Sequence, residues 1–321
     1  MQSTQNHPMR LLATATLAFV WAAPAQAGEA LFGYTYLAEV LPAKAMETEL
    51  WTTYRTKKSQ GTYNLWQNRL ELEYGITDRW QVSLYLNGYS VQAENNNSTA
   101  SRNNYTAVGD GDEVTGGGPV TFGSYVPFLS RLPLPAASYS KTDFESVSLE
   151  TIYQFTSPIK DSVGLAGYLE YSKGSNVEEL EMKGIAQWNL LDDQLILAAN
   201  LAVELENEKW SGLGTEKETK LELSGGASYR FAPGWHVGLE ARNERGYKGH
   251  SLSSSDRDYS AWFLGPNIAY TAQKWFATLT VMEQMPWATA YSDAARVELV
   301  DGRVYKSTER YNIRLKLGYS F

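Results

Sequence analysis

The chain of 321 residues has no cysteine, only three histidines, and no apolar run long enough to cross a bilayer as a helix. Missing thiols exclude disulfides and thiolate metal centres. A transmembrane helix needs roughly 20 apolar residues, whereas the apolar run Leu11–Ala23 has 13. Basic residues are also in the minority, 28 Lys+Arg against 36 Asp+Glu, for a net charge of −8. That balance argues against nucleic acid as a partner, because neutralising phosphates takes basic patches. Aromatic residues are plentiful instead, with 21 Tyr and 10 Trp. Such a load suits two interfacial girdles better than a soluble core.

The N-terminus reads as an export signal. Residues 1–9 carry no acid, Arg10 precedes the apolar run, Pro24 breaks it, and Ala25-Gln26-Ala27 has the small-x-small form of a cleavage site. We therefore expect residues 1–27 to be a cleaved signal peptide, with Gly28 the first mature residue. In an exported chain without a spanning helix, a closed β-barrel is the structure left that can cross a membrane.

The last strand fits that expectation. Tyr311, Ile313, Leu315, Leu317, Tyr319 and Phe321 alternate with Asn312, Arg314, Lys316, Gly318 and Ser320. A period of two with one apolar face marks a strand between lipid and a polar interior. The segment resembles the C-terminal strand of bacterial outer-membrane barrels. That resemblance implies a Gram-negative outer membrane, a bilayer with lipopolysaccharide as surroundings, and recognition by the barrel-assembly machinery through Phe321.

Similar stretches recur at about Met46–Thr56, Tyr63–Tyr74, Trp80–Val91, Glu145–Phe155, Val163–Tyr171, Glu178–Leu190, Gln194–Leu205, Thr219–Phe231, Trp235–Glu244, Ser260–Thr271, Trp275–Gln284 and Arg310–Phe321. The count predicts an all-β fold, a single antiparallel barrel of about twelve strands over 46–321. An even number is the rule for such barrels. Connections after even strands are short, whereas residues 92–144, 206–218, 245–259 and 285–309 read as long polar outer loops. A soluble sandwich would not sort its loops in this way. Pro266 falls inside a strand and predicts a bulge or an irregular ladder there.

Parity assigns the faces. Trp66, Leu70, Leu72, Trp80, Leu84, Leu86, Leu201 and Leu223 point out. Arg69, Glu71, Glu73, Glu150, Glu170, Glu181, Lys183, Glu204, Glu222, Arg230, His236, Glu240, Arg242, Arg314 and Lys316 point in. Arg or Lys facing mid-bilayer would cost roughly 2–4 kcal/mol, which fixes the phase. Apart from His236, these are the candidate lumen-lining residues, read as a hydrated, salt-bridged interior that also lines a permeation path. Glu47 and Glu49 are expected beside Arg314 and Lys316 across the closing seam. Residues 28–45 are too apolar to float free and form either a periplasmic or a lumen-inserted segment. The apolar half of the 92–144 loop, Tyr125–Pro135, either folds inward or packs on the rim.

Leu37–Leu50 entering the first strand, the turn Tyr74-Gly-Ile-Thr-Asp-Arg-Trp80, and Phe263-Leu-Gly-Pro-Asn-Ile-Ala-Tyr270 with Trp275 resemble the MetA-pathway of phenol degradation family and related transporter-like barrels. The resemblance implies a twelve-stranded barrel passing small, including aromatic, compounds, and it transfers no binding residues. An enzyme is not expected. His7 leaves with the signal, and His236 lies near the periplasm. His250, near Asp256 and Asp258, supplies only a fragment of what a protease at the outer rim would need. Glu204, Glu206, Glu218 and Glu222 offer oxygen ligands of the kind calcium takes, but Lys217 and Lys220 are placed to neutralise them, so neither metal nor cofactor is expected. The resulting expectation is a channel for small solutes. The alternative is a non-conducting structural or interaction barrel, with an outer-membrane hydrolase further behind. Oligomeric state is not legible.

Overall fold

Strict alternation produces strands, and in the computed structural model, which describes residues 31–94, 138–210 and 214–321, twelve of them close into one ring. They are β1 (Met46–Thr56), β2 (Thr62–Thr77), β3 (Trp80–Glu94), β4 (Ser138–Thr156), β5 (Gly164–Gly174), β6 (Val177–Leu190), β7 (Leu195–Trp210), β8 (Gly214–Ala232), β9 (Trp235–Lys248), β10 (Arg257–Thr271), β11 (Trp275–Gln284) and β12 (Tyr311–Ser320). Each pairs antiparallel with its sequence neighbours, and β12 returns to β1 to close the barrel. Closure gives each of the twelve strands a neighbour on both sides, the condition for β-structure in a bilayer.

Leu70, Leu84, Leu201, Leu223 and Leu317 are exposed on the outer face. The inward neighbours of most of them are buried polar or charged groups. The rim carrying the short turns has a belt of exposed rings, among them Trp80, Phe155, Phe231, Trp235, Trp275 and Phe321. Tyr270 lies between Trp235 at 4.7 Å and Trp275 at 5.1 Å. Rings with one polar tip settle at the boundary between hydrocarbon and water.

All twelve expected strands are present, but several run further on the loop side. β7 and β8 pair as far as Trp210 and Gly214, so most of 206–218 is hairpin rather than loop. Only residues 175–176 separate β5 from β6. Outside the lipid zone both faces of a strand meet water, so pairing continues after the apolar alternation stops. Of the stretch 92–144 expected as a loop, β3 takes the residues up to 94 and β4 those from 138, and Tyr125–Pro135 lies outside the described residues.

Residues 285–310 are ordered by contacts. They carry a short helix α1 (Asp293–Val297), capped by the Ser292 hydroxyl accepting from Ala295 N. Ala295 and Val304 pack on the inward Tyr259, Phe263 and Met282. Glu309, fully buried, binds Arg55 at 2.6 Å and Lys58 at 3.0 Å. Burial alone would raise this carboxyl, but Arg55 and Lys58 more than reverse it and hold it below its ordinary value.

Pro266 leaves the β9–β10 register continuous through Leu239. On the other side Gly265 and Pro266 have no ladder partner, yet the register with β11 is the same before and after them. The ladder is thus irregular without a bulge. Gly265 is required there, since a Cβ would lie 1.8 Å from the Val281 carbonyl oxygen.

Two tests follow from these contacts. Gly265→Ala should cost about 1–3 kcal/mol or more by forcing β10 from β11. The measurement is the folded fraction by heat-modifiable gel mobility, and a wild-type fraction would contradict the close approach. A depressed folded-state carboxyl contributes stability above its unfolded value (about 4.3) that is lost as pH falls through the folded one. Proteolysis of 285–310 should therefore be slow at neutral pH and accelerate below about pH 4, and Glu309→Gln should be cleaved readily at every pH.

Candidate functional site

Residues 31–45 hold the key to the interior. Leu31, Phe32, Tyr34, Tyr36, Leu37, Ala38, Val40 and Leu41 are all buried, although none belongs to a strand. A non-strand backbone must find other partners for its N–H groups, and here inward side chains from many strands supply them. The Glu240 carboxylate accepts from the N–H groups of Gly33 (2.8 Å), Tyr34 (2.8 Å) and Thr35 (3.1 Å). Asn267 (2.9 Å) and Thr280 (2.8 Å) donate to the same carboxylate. Successive N–H groups converging on one anion form a nest, and here the anion belongs to the barrel wall.

The pattern continues along the segment. Asn200 accepts from Tyr36 N at 2.6 Å and donates to Tyr36 O at 3.0 Å. Gln187 accepts from Ala38 N, and Gln154 donates to Ala38 O. Gln81 accepts from Leu41 N and Asp78 from Ala43 N. Apart from Asp78, in the turn between β2 and β3, these partners lie on β3, β4, β6, β7 and β9, so the segment crosses the interior on the turn side. Glu39 accepts from Gln187 at 2.6 Å, and burial raises its carboxyl above the ordinary value against that hydrogen bond.

Inward side chains are shaped to this occupant. Ala166 and Ile185 surround Tyr36 and Ala38, while Ala198 and Ala269 surround Phe32 and Leu37. Gly226 faces Phe32, where a Cβ would lie 2.5 Å from the ring. Gly75 faces Pro42 in the same way at 2.1 Å, where the chain turns into β1.

On the loop side of this plug lies a charged cavity of about 150 Å³, with Tyr34, Tyr36 and Trp51 in its lining. Of the residues expected inside, Arg69, Glu181, Lys183, Glu204, Glu222, Arg242 and Arg314 line it. Glu71, Glu73, Glu150, Glu170, Glu240 and Lys316 are buried within the wall and outside that lining. Arg230 is exposed near the short turns, with Nη2 donating to Asp192 O at 3.4 Å, because its inward phase falls past the end of the enclosed interior.

Cations clasp the rings of the plug and its surroundings. Arg314 lies 4.1 Å from the Tyr34 ring centre and Lys183 lies 3.7 Å from that of Tyr36. Lys316 lies 3.8 Å from the Trp51 ring. Such contacts contribute about 0.5–2 kcal/mol each when desolvated.

The closing seam brings Glu49 and Lys316 to diagonal positions without setting the expected charges directly opposite one another. Glu47 lies opposite Ser320 and Glu49 opposite Gly318, while Lys316 faces Trp51 and Arg314 faces Thr53. Arg314 instead donates from Nε to Thr53 Oγ1 at 2.8 Å and from Nη1 to Gly33 O at 3.1 Å. Arg314 is thereby tied to the plug.

The carboxylates weighed as a calcium site are bridged by lysine: Lys220 Nζ reaches Glu204 at 3.0 Å and Glu206 at 3.3 Å. His250 Nε2 lies 3.1 Å from Glu206 O, while Asp256 accepts from Ser251 and Asp258 binds Lys306 and Ser292. Those aspartates are engaged elsewhere and form no pair with the imidazole. Tyr34, Tyr36, Trp51, Gln67, Asn87, Glu179, Lys220 and Glu244 also line the cavity, beyond the residues expected there. For Gln67, Asn87, Glu179, Lys220 and Glu244 the inward parity alone was sufficient signal.

The chain belongs to a family of unknown function (DUF6662), which matches residues 24–321. No curated protein matches it. The COG4313 outer membrane channel from Pseudomonas putida F1 is similar in fold, with a TM-score of 0.53 at 10% identity over 88% of this chain and 98% of that one. A NanC porin aligns at a TM-score of 0.47 and 8% identity, over 85% of this chain and 98% of its own. The CymD monoaromatic hydrocarbon channel aligns at 0.39 and 11%, over 87% and 88%. The likeness to the COG4313 channel is one of fold, and the resemblance to the phenol-degradation family gains no support from the family match.

Glu240→Ala should leave the three N–H groups without their acceptor, at roughly 1–3 kcal/mol per orphaned donor. With Thr35→Cys as reporter, maleimide labelling should be slow in the parent and fast in the Glu240→Ala background. Equal rates would contradict the anchoring role.

Proposed function

We propose that this member of the family is an outer-membrane channel for small solutes, exported by cleavage after Ala27 and assembled through a terminal strand ending at Phe321. The termini and short turns face the periplasm, and the cavity opens toward the outside. The observation that carries the reading is the charged cavity lying inside a closed ring of twelve strands. Eight strands leave an interior that side chains fill, and sixteen to eighteen leave a wide aqueous pore. Twelve leave room for small solutes, and here the N-terminal segment takes up much of the periplasmic half. Solutes pass by diffusion between walls of opposite charge. Arg69, Glu181, Lys183, Glu204, Glu222, Arg242 and Arg314 contact them directly. Trp51, Tyr34 and Tyr36 offer ring faces in the same cavity, which is compatible with small organic solutes, including aromatic ones.

The buried segment also favours a second reading, a non-conducting barrel whose outer surface carries the function. Planar-bilayer recordings separate the two. The full chain should show small or infrequent conductance, and deletion of residues 28–45 should increase it severalfold while heat-modifiable folding is retained. No conductance from either folded protein would overturn the channel reading.

A further inference from the structure

The cavity separates charge across the barrel. On one side Arg314 (β12) and Arg69 (β2) flank Trp51 (β1). On the other, β6 to β9 contribute Glu179, Glu181, Glu204, Glu222 and Glu244, against the cations Lys183, Lys220 and Arg242. Within the ring, β12 lies six strands from β6 and β2 lies six from β8, so the two sides face each other. Glu145 on β4 stands between them.

The cations of the acidic wall are committed within it. Lys183 binds Glu181 at 3.3 Å, Lys220 binds Glu204 at 3.0 Å, and Arg242 binds Glu222 at 3.2 Å. Carboxylates remain in excess, and like charges sit directly opposite each other, Glu181 with Glu204 and Glu222 with Glu244. Such pairs destabilise a sheet unless positive charge comes near. Glu179 has no ion pair among the described residues.

Arg314 is the counterpart. It has no carboxylate partner among the described residues, and its guanidinium is fixed by Thr53, Gly33 O and the Tyr34 ring. These contacts use Nε and Nη1, and Arg314 is among the residues that line the cavity. A planar guanidinium held in this way is preorganised for a carboxylate.

We propose that this cavity binds a small zwitterion, an α-amino acid or a compound of that chemistry, with its carboxylate on Arg314 and its ammonium on the wall led by Glu179. The assignment deepens the channel reading by naming the solute class, although binding itself does not require conduction. A volume of about 150 Å³ equals roughly five waters, enough for an amino acid with a short side chain. A purely anionic solute meets the excess carboxylates and a purely cationic one meets Arg314, while Arg69 is held by Glu170 at 3.4 Å. The site therefore discriminates by repulsion as well as attraction.

The test is equilibrium dialysis of the full chain in detergent micelles with L-alanine, propionate and ethylammonium, the last two each lacking one charge of the first. L-Alanine should bind at least about tenfold more tightly than either. Arg314→Gln and Glu179→Gln, both checked for heat-modifiable folding, should each weaken it by about tenfold. Because Arg314 also holds the plug, Glu179→Gln serves as the variant on the opposite wall. Absence of alanine binding, equal affinity for all three probes, or two folded variants with unchanged alanine affinity would overturn the proposal. Alanine binding by a barrel that never conducts would support the site and overturn the channel; conduction without alanine binding would do the reverse.

Discussion

The fully buried Glu240 carboxylate organises the interior of this barrel. An isolated carboxylate at that depth would cost far more than a folded domain has to spare. Three backbone N–H groups of the N-terminal segment, with Asn267 and Thr280, make it tolerable. The dependence runs both ways, since a segment outside the sheet has no ladder to satisfy its amides. Wall and segment are therefore complementary, and the interior divides into a filled half on the side of the short turns and a charged half on the loop side.

That division explains the fate of the charged residues. Where the segment lies, the wall offers amides, small residues and a carboxylate: Gln81, Gln154, Gln187, Asn200, Ala198, Gly226 and Glu240. Beyond Tyr34 and Tyr36 it offers paired and excess charges instead. Arg314 sits at the boundary, with its guanidinium against Tyr34 and Gly33 O, and it also lines the cavity. One residue thereby links the plug to the vestibule.

Much of the architecture was legible in the sequence because lipid imposes a strict period of two. Leu70, Leu84 and Leu223 fixed the phase of their strands, and a charge in the wrong phase would have been costly. The rule fades where the lipid ends, so the extension of β7 and β8 through Glu206–Glu218 could not be read from apolar alternation. Opposite charges on β1 and β12 suggested neighbours across the seam, and backbone closure makes Glu49 and Lys316 diagonal rather than directly opposite, with Lys316 also over the Trp51 ring. The filled half left a quieter signal. Inward glutamines, asparagines, alanines and Gly226 read as neutral gaps between charges, although they were the sites of contact with the N-terminal segment.

A divided interior of this kind requires residues 33–41 to be held inside by hydrogen bonds from the wall. Hydrogen exchange of the full chain in lipid nanodiscs tests this most directly, since opening must precede exchange of a bonded amide. The amides of Gly33, Tyr34, Thr35, Tyr36 and Ala38 should exchange as slowly as those of β9. Exchange at the rate of an unstructured peptide would contradict the claim.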